Sequence, residues 1–122
     1  MSISPDGGTL AFAWGKNTPP TGPKLVLANL QTLSPPRILD VHPNFRGQIR
    51  FTPDGKSVAY VIRENVVDNL WVQPLDGSTG HRLTKFLSDQ IDDFHWSCDG
   101  KRLGILRGKS ESDVVLLRDS KQ

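Results

Sequence analysis

The chain has 122 residues, of which 36% are hydrophobic and 23% charged, with a formal net charge of +2. These proportions fit one globular unit and exclude a disordered chain. So small a charge, with no basic block, offers no electrostatic footprint for nucleic acid or an anionic membrane surface.

No apolar run approaches the roughly 18 residues of a membrane span. Met1-Ser2-Ile3-Ser4 lacks the charged-then-apolar segment that directs secretion, so either the mature chain stays where it is made or its true start lies upstream. The lone Cys98 excludes an internal disulfide and leaves the redox compartment open. Eleven Gly and nine Pro are a high density of turn formers and favour many short strands over a few long helices.

A repeat organises the chain. Ser4-Pro5-Asp6-Gly7, Thr52-Pro53-Asp54-Gly55 and Ser97-Cys98-Asp99-Gly100 place their Asp residues 48 and 45 positions apart. Pro pre-sets φ for the second position of a tight turn, Asp suits the next, and Gly takes the positive φ after it. An apolar run of strand length follows each turn: Thr9–Ala13, Ser57–Val61 and Arg102–Leu106. A second run comes at Lys24–Leu27, Asn69–Val72 and Asp113–Leu116, and a third at Pro36–Leu39 and His81–Thr84. Gln48–Phe51 and Asp93–Trp96 precede the second and third turns. Four short strands in about 45 residues are the period of a propeller blade.

The fold expected is therefore all-β: a propeller fragment of about three four-stranded antiparallel blades, in an open arc with the first and last blades incomplete. The blades run 1–45, 46–90 and 91–122. Phe51 and Trp96 share the position just before the turn and are expected to pack between blades. Trp14 and Trp71 are assigned to the inter-blade core as well. Cys98, in the place of Pro, reads as a tolerated turn substitution, since no activating His or Arg pair stands beside it.

The pattern Phe51-Thr52-Pro53-Asp54-Gly55-Lys56, Asp68-Asn69-Leu70-Trp71-Val72, Leu75-Asp76-Gly77, Arg82-Leu83-Thr84 resembles the WD-repeat-like blades of the TolB propeller. The match is strong over 46–107 and weaker over 3–39, where Gln31-Thr32 replaces Asp-Gly. The ending, from Ser88-Asp89-Gln90-Ile91 to Val114-Val115-Leu116-Leu117-Arg118-Asp119, resembles the C-terminal end of propellers attached to bacterial (acidobacterial-type) Ser/Thr protein kinases or winged-helix regulators. Similar blades also cap prolyl-oligopeptidase-type hydrolases. A repeat of this kind identifies a scaffold and leaves its function open.

No pattern for catalysis is present. The chain has no Gly-x-Ser-x-Gly elbow, no phosphate loop and no kinase catalytic loop. His42, His81 and His95 are not at metal-ligand spacing, and Asp89, Asp92 and Asp93 do not form a calcium loop. No cofactor, metal or catalytic residue is therefore assigned. In a blade, the loops between second and third strands share a rim with the connections between blades. That rim would gather His42, Asn44, Phe45, Arg46, Arg63, Glu64, Asp92, Arg107, Lys109 and Glu111, a mixed-charge set with an aromatic that suits a protein or peptide partner better than nucleic acid. Two functions remain open: a non-catalytic binding or sensory scaffold at the C-terminal part of a kinase or regulator, or the gating propeller of a serine hydrolase whose catalytic domain lies elsewhere. A membrane-anchored or TolB-like parent would place it outside the cytoplasm. The apolar faces at the ends of an open arc also predict self-association of the isolated chain.

Overall fold

A computed structural model of the chain describes residues 1–15, 23–32, 34–108 and 112–118, the last of these as backbone alone. Its described residues form eleven strands and no helix. The first sheet is β1 (Ser2–Ile3), β2 (Thr9–Trp14), β3 (Lys24–Asn29) and β4 (Arg37–Asp40), hydrogen-bonded in that order. The second is β5 (Phe45–Phe51), β6 (Ser57–Glu64), β7 (Val67–Pro74) and β8 (His81–Arg82). The third is β9 (Ile91–Trp96), β10 (Arg102–Gly108) and β11 (Ser112–Arg118). Every pairing is an antiparallel neighbour in sequence, as the four-strand repeat requires. Most strands extend beyond the expected runs: β5 begins at Phe45 and β9 at Ile91, β6 continues to Glu64, and β7 spans Val67–Pro74.

One hydrogen-bonded device closes the first hairpin of each sheet. Gly7 N–H donates to Ser4 O, Gly55 N–H to Thr52 O and Gly100 N–H to Ser97 O, each at 2.9 Å. The three glycines lie at φ 77°, 72° and 73°, a region closed to most side chains. The aspartate carboxylate then takes two donors. Asp6 Oδ1 accepts from Ser4 Oγ (2.6 Å) and Gly8 N–H (2.8 Å). Asp54 Oδ1 accepts from Thr52 Oγ1 (2.7 Å) and Lys56 N–H (2.9 Å), and Asp99 Oδ1 from Ser97 Oγ (2.6 Å) and Lys101 N–H (2.9 Å). The hydroxyl residue that opens each motif is thus as much a part of the turn as Pro or Gly. These bonds hold the carboxyls of Asp6 and Asp99 below the ordinary carboxylate range, the Ser hydroxyl being the largest cause in both.

The core lies between sheets. In β6, Val58, Tyr60 and Ile62 pack with Ala11, Leu25 and Leu27 of the first sheet and with Ile49 and Phe51. The alternate residues Ala59 and Val61, with Leu70 and Val72 of β7, pack against Ile91, Phe94, Leu103 and Ile105 of the third sheet. A strand buried on both faces reads as a continuous apolar run, and Val58-Ala59-Tyr60-Val61-Ile62 is one. Fully burying side chains of this size stabilises by about 1.5–3 kcal/mol each. Phe51 and Trp96 pack against these two clusters, and Trp71 against the first, as expected from their place in the repeat.

Trp14 departs from expectation. It ends β2 on the face shared with Leu10 and Phe12, opposite to the face through which Ala11 meets the second sheet, and it is exposed. It holds the repeat position of the buried Ile62, but no described sheet lies against its face.

The hairpin turns of successive sheets touch. A Cβ placed on Gly55 would stand 3.4 Å from Pro5 Cδ, and one on Gly100 only 2.8 Å from Pro53 Cβ. A Cβ on Gly7 would meet nothing within 4 Å. Gly7→Ala and Gly100→Ala therefore carry the same penalty for positive φ, about 1–2 kcal/mol, but only the second also drives a Cβ into a proline ring, an overpacking term of about 1–3 kcal/mol. Urea denaturation should show a larger loss of stability for Gly100→Ala than for Gly7→Ala. Equal losses would count against the turn-on-turn contact.

Candidate functional site

The rim opposite the Asp-Gly turns is built, among the described residues, from the β4–β5 connection, the β6–β7 turn, the β8–β9 connection and the end of β10. Backbone bonds fasten these pieces together: Arg63 N–H to Asn44 O (3.0 Å), Asp68 N–H to Asp89 O (3.1 Å) and Gly108 N–H to Gln90 O (3.2 Å). These bonds join the ends of β6, β7 and β10 to the connections between sheets; the expected loops at 16–22 and 109–111 lie outside the described residues.

Four of the expected rim residues form one cluster with groups that sequence reasoning did not include. The His42 N–H donates to Tyr60 Oη (2.8 Å), whose own hydroxyl donates to Gln73 Oε1 (2.6 Å); Gln73 Nε2 in turn donates to Asp40 O (2.8 Å). His42 Nδ1 accepts from Asn44 N–H (3.0 Å), which places the proton of the neutral ring on Nε2. The imidazole meets the Trp71 indole edge-on at 4.5 Å between centroids. Asn44 Nδ2 donates to Glu64 Oε2 (3.0 Å), and Glu64 Oε1 pairs with Arg82. Phe45 turns inward from the rim and meets Tyr60 edge-to-face at 5.0 Å.

The electrostatics of this cluster are those of a closed network. Burial lowers the His42 pKa from 6.5, Arg82 pushes the same way, and Glu64 opposes. The Arg82 guanidinium, helped by Asn44, holds Glu64 below its ordinary 4.5. Both shifts are depressions, so the stability they carry is present above the ordinary pKa values and is lost as pH falls through the lowered ones.

Two of the expected rim arginines bind their own chain. Arg63 grips the buried Asp68 with two bonds, Nε to Oδ1 at 2.6 Å and an Nη to Oδ2 at 3.1 Å, while Ile91 N–H donates to the same Oδ2 at 2.9 Å. A bidentate pair of this kind positions a strand end. Arg107 lies over the Phe86 ring at 3.8 Å and donates to Ser88 O at 2.6 Å. Arg46 and Asp92 are exposed, and Asp92 lends only its carbonyl, to Gln48 Nε2 at 3.0 Å. Lys109 and Glu111 lie outside the described residues. Asp93 is held by Arg50 at 3.1 Å and by His95 at 3.0 Å.

Beside these polar groups the rim holds large apolar side chains out into solvent. Trp14, Val66 and Leu87 are 71%, 76% and 93% exposed, and they stand at the end of β2, on the β6–β7 turn and in the β8–β9 connection. Val66 follows Asn65 in a two-residue turn with φ values of 53° and 58°. Asn-Gly is the pair such a turn favours, and a β-branched residue there is strained. Only the strand–turn pattern could have signalled Val66 and Leu87; no motif contains them.

The opposite rim carries an open cleft of about 450 Å³ between the first two hairpin turns, lined among others by Ser4, Asp6, Asn29, Arg37 and Asp54. Its polar groups are engaged by the chain itself: Arg37 donates to Leu75 O at 2.6 Å, and Asp6 and Asp54 close their turns. Among the described residues, no group of three or more His, Cys, Asp or Glu side chains is gathered so as to hold a metal ion.

The fold is that of the TolB propeller. TolB from Acinetobacter baumannii superimposes with a TM-score of 0.70 at 23% identity over 94% of this chain and 28% of its own. A putative TolB from Agrobacterium tumefaciens gives 0.71 at 22% identity over 98% of this chain and 42% of its own. The chain thus spans less than half the length of either. No family model and no curated protein matches the sequence.

Tyr60 gives this cluster a direct readout because it is the only tyrosine. Burial pushes its pKa up from 10 to about 12, against a smaller opposing effect of the His42 N–H. A raised folded-state pKa means that stability is complete below about pH 10 and falls as pH rises towards 12. Phenolate absorbance should show the single titration displaced to about 12, concurrent with loss of fold. Tyr60→Phe should cost about 1–3 kcal/mol at neutral pH, because it strands two hydrogen-bonding partners, and should flatten the alkaline decline. A titration near 10 in the folded protein would refute the buried assignment.

Proposed function

We propose that this chain is a non-catalytic propeller segment that binds a protein or peptide partner through the rim formed by the β6–β7 turn and the connections between sheets. The observation that carries this reading is the trio Trp14, Val66 and Leu87, three large apolar side chains held out into solvent on one rim. Val66 weighs most, since its turn would be better served by glycine. Strain kept at an exposed apolar residue favours contact over stability as its role. Exposed Arg46 and Asp92 and the half-buried Glu64–Arg82 pair supply a polar surround, and an apolar centre with a charged rim is the anatomy of a protein interface.

In this reading the segment is the binding or sensory part of a larger protein, for which a Ser/Thr kinase or a transcriptional regulator is the first candidate. A gating propeller of a serine hydrolase is the rival, and the domain encoded beside this segment separates the two.

Selection of a random phage-displayed peptide library on the folded chain tests the rim. Enriched peptides should carry apolar side chains and lose at least about tenfold in affinity on Val66→Asp with Leu87→Asp, as expected when charge enters an apolar contact. The same peptides should bind Asp6→Ala, on the opposite rim, as well as wild type. Binders that map to the Asp-Gly turn rim, or no enrichment at all, would overturn the proposal.

A further inference from the structure

The turn that joins β4 to β5 is held by a group that can lose its acceptor. His42-Pro43-Asn44-Phe45 closes on the Phe45 N–H, which donates to His42 O at 3.0 Å, with Pro43 fixing the second position. The Asn44 N–H inside the turn goes to His42 Nδ1 at 3.0 Å. On the opposite rim carboxylates do the same service: Asp6, Asp54 and Asp99 each accept the amide two residues on, at 2.8–2.9 Å. An imidazole in this place differs in one respect. A carboxylate stays an acceptor throughout the neutral and mildly acid range, whereas both imidazole nitrogens are donors once the ring is protonated.

The neutral ring of His42 keeps its proton on Nε2, so a second proton has only Nδ1 to occupy. There it would face the Asn44 N–H, donor against donor, and the bond must break. Turning the ring away would cost its edge-on contact with Trp71, at 4.5 Å between centroids, while the His42 amide stays anchored on Tyr60 Oη at 2.8 Å. Among the described residues, the titratable and charged groups that face this histidine are Tyr60 and Glu64 of β6 and Arg82 of β8. Trp71 and Gln73 of β7 are uncharged, and Asp40 of β4 takes part through its carbonyl, its carboxylate pairing with Lys24. Asn44 and Arg82 already occupy the two carboxylate oxygens of Glu64. Burial is the largest cause of the lowered His42 pKa; Glu64 opposes it and Arg82 adds to it. With a lowered pKa, the closed turn is complete above 6.5 and is lost as pH falls below that value towards the lowered one.

Asn44 also ties this turn to the rim. Its carbonyl accepts the Arg63 N–H at 3.0 Å, and its side-chain amide donates to Glu64 Oε2 at 3.0 Å. Arg63 and Glu64 are the two residues that lead into the Asn65–Val66 turn, which positive φ already strains. A change at His42 therefore reaches the base of the turn that holds Val66 out into solvent. We propose that His42 is a proton-operated latch on the rim: neutral, it closes the His42–Phe45 turn and fixes Asn44 against the base of the Val66 turn; protonated, it releases both and weakens partner binding. The gating rests on the reading of this rim as the partner surface, whereas the latch stands on the turn alone.

Amide-resolved NMR of the chain from about pH 8 to about pH 5, the range in which a histidine ordinarily changes charge, tests the latch. In wild type the backbone amide and the side-chain amide of Asn44 should shift together with the His42 ring, at a midpoint below 6.5. His42→Asn should abolish that step, because an Asn side-chain oxygen accepts the amide two residues on and does not titrate. The wild-type spectra decide the latch even if the variant does not fold. Far-UV circular dichroism should keep its β-sheet signal throughout, as a local release requires. Peptides selected on the rim test the gating. Their affinity for wild type should fall by about fivefold or more across the same range, the lower end of coupling between two sites, and should hold steady for His42→Asn. An Asn44 amide that stays in place while the His42 ring titrates, the same acid step in His42→Asn as in wild type, or loss of the sheet signal at the same midpoint would each overturn the latch. An affinity that falls equally for both proteins, or for neither, would overturn the gating. A rim that selects no peptide at about pH 8 would remove the partner reading and the gating with it, and the Asn44 step would still decide the latch.

Discussion

Val58, Ala59, Tyr60, Val61 and Ile62 are buried one after another, three side chains turned to one neighbouring sheet and two to the other. A sheet placed in this way has no solvent face. Its strands gain their stability only when a second sheet lies on each side, because a hairpin with one bare apolar face recovers too little burial to offset the ordering of its backbone. The sheets of this chain are therefore not separate domains. They are units of a stack whose energy resides largely between them, as in other repeat proteins.

That constraint explains why the turns are so uniform. Stacked sheets bring their hairpins into contact: a Cβ at Gly55 would touch Pro5, and at Gly100 there is no room for one, beyond the penalty φ already imposes. Ser or Thr, Asp and Gly each satisfy one part of the closed loop, so the motif returns with the same bonds in all three sheets. Pro5 and Pro53 serve twice, once in fixing their own backbone and once as the surface on which the next turn rests. At the third turn Cys98 stands in that place and is exposed.

On the other rim the chain must join sheets rather than close hairpins, and most of its charged groups are used for that. Asp68 holds both the Arg63 side chain and the first amide of β9, and Asn69 takes Phe86 N–H at 2.6 Å and the Thr84 hydroxyl at 2.8 Å. Arg107 covers Phe86 and caps Ser88 O. With these groups occupied, the side chains left to an outside partner include the apolar ones at the tips of the loops, Val66 and Leu87, beside exposed Arg46 and Asp92. Charge in the sequence was a poor guide to this surface for that reason: an arginine in a loop is equally suited to a partner and to its own chain, and only distances decide between them.

The sequence by itself determined the repeat, the all-β class, the turn geometry and most strand positions. These depend on local chemistry: the positive φ of Gly7, Gly55 and Gly100, the Asp side chain closing its own turn, and the alternation of strands with turns. It also placed the β4–β5 and β6–β7 loops on one rim, because strand order in a blade leaves no other arrangement. Tertiary structure decided which strand faces have a sheet packed against them, and so buried Tyr60 while leaving Trp14, on the equivalent face of the first sheet, exposed. It decided that Phe45 turns to the core, that Arg63 and Arg107 are clamps, and that Arg82, Trp71 and Tyr60 complete the cluster around His42. It also brought forward Val66 and Leu87, which belong to no motif. These outcomes rest on contacts between residues far apart in sequence, such as Gln73 with Asp40 or Arg50 with Asp93, and the sequence spacing within one blade carries no record of which side chain its neighbour will present.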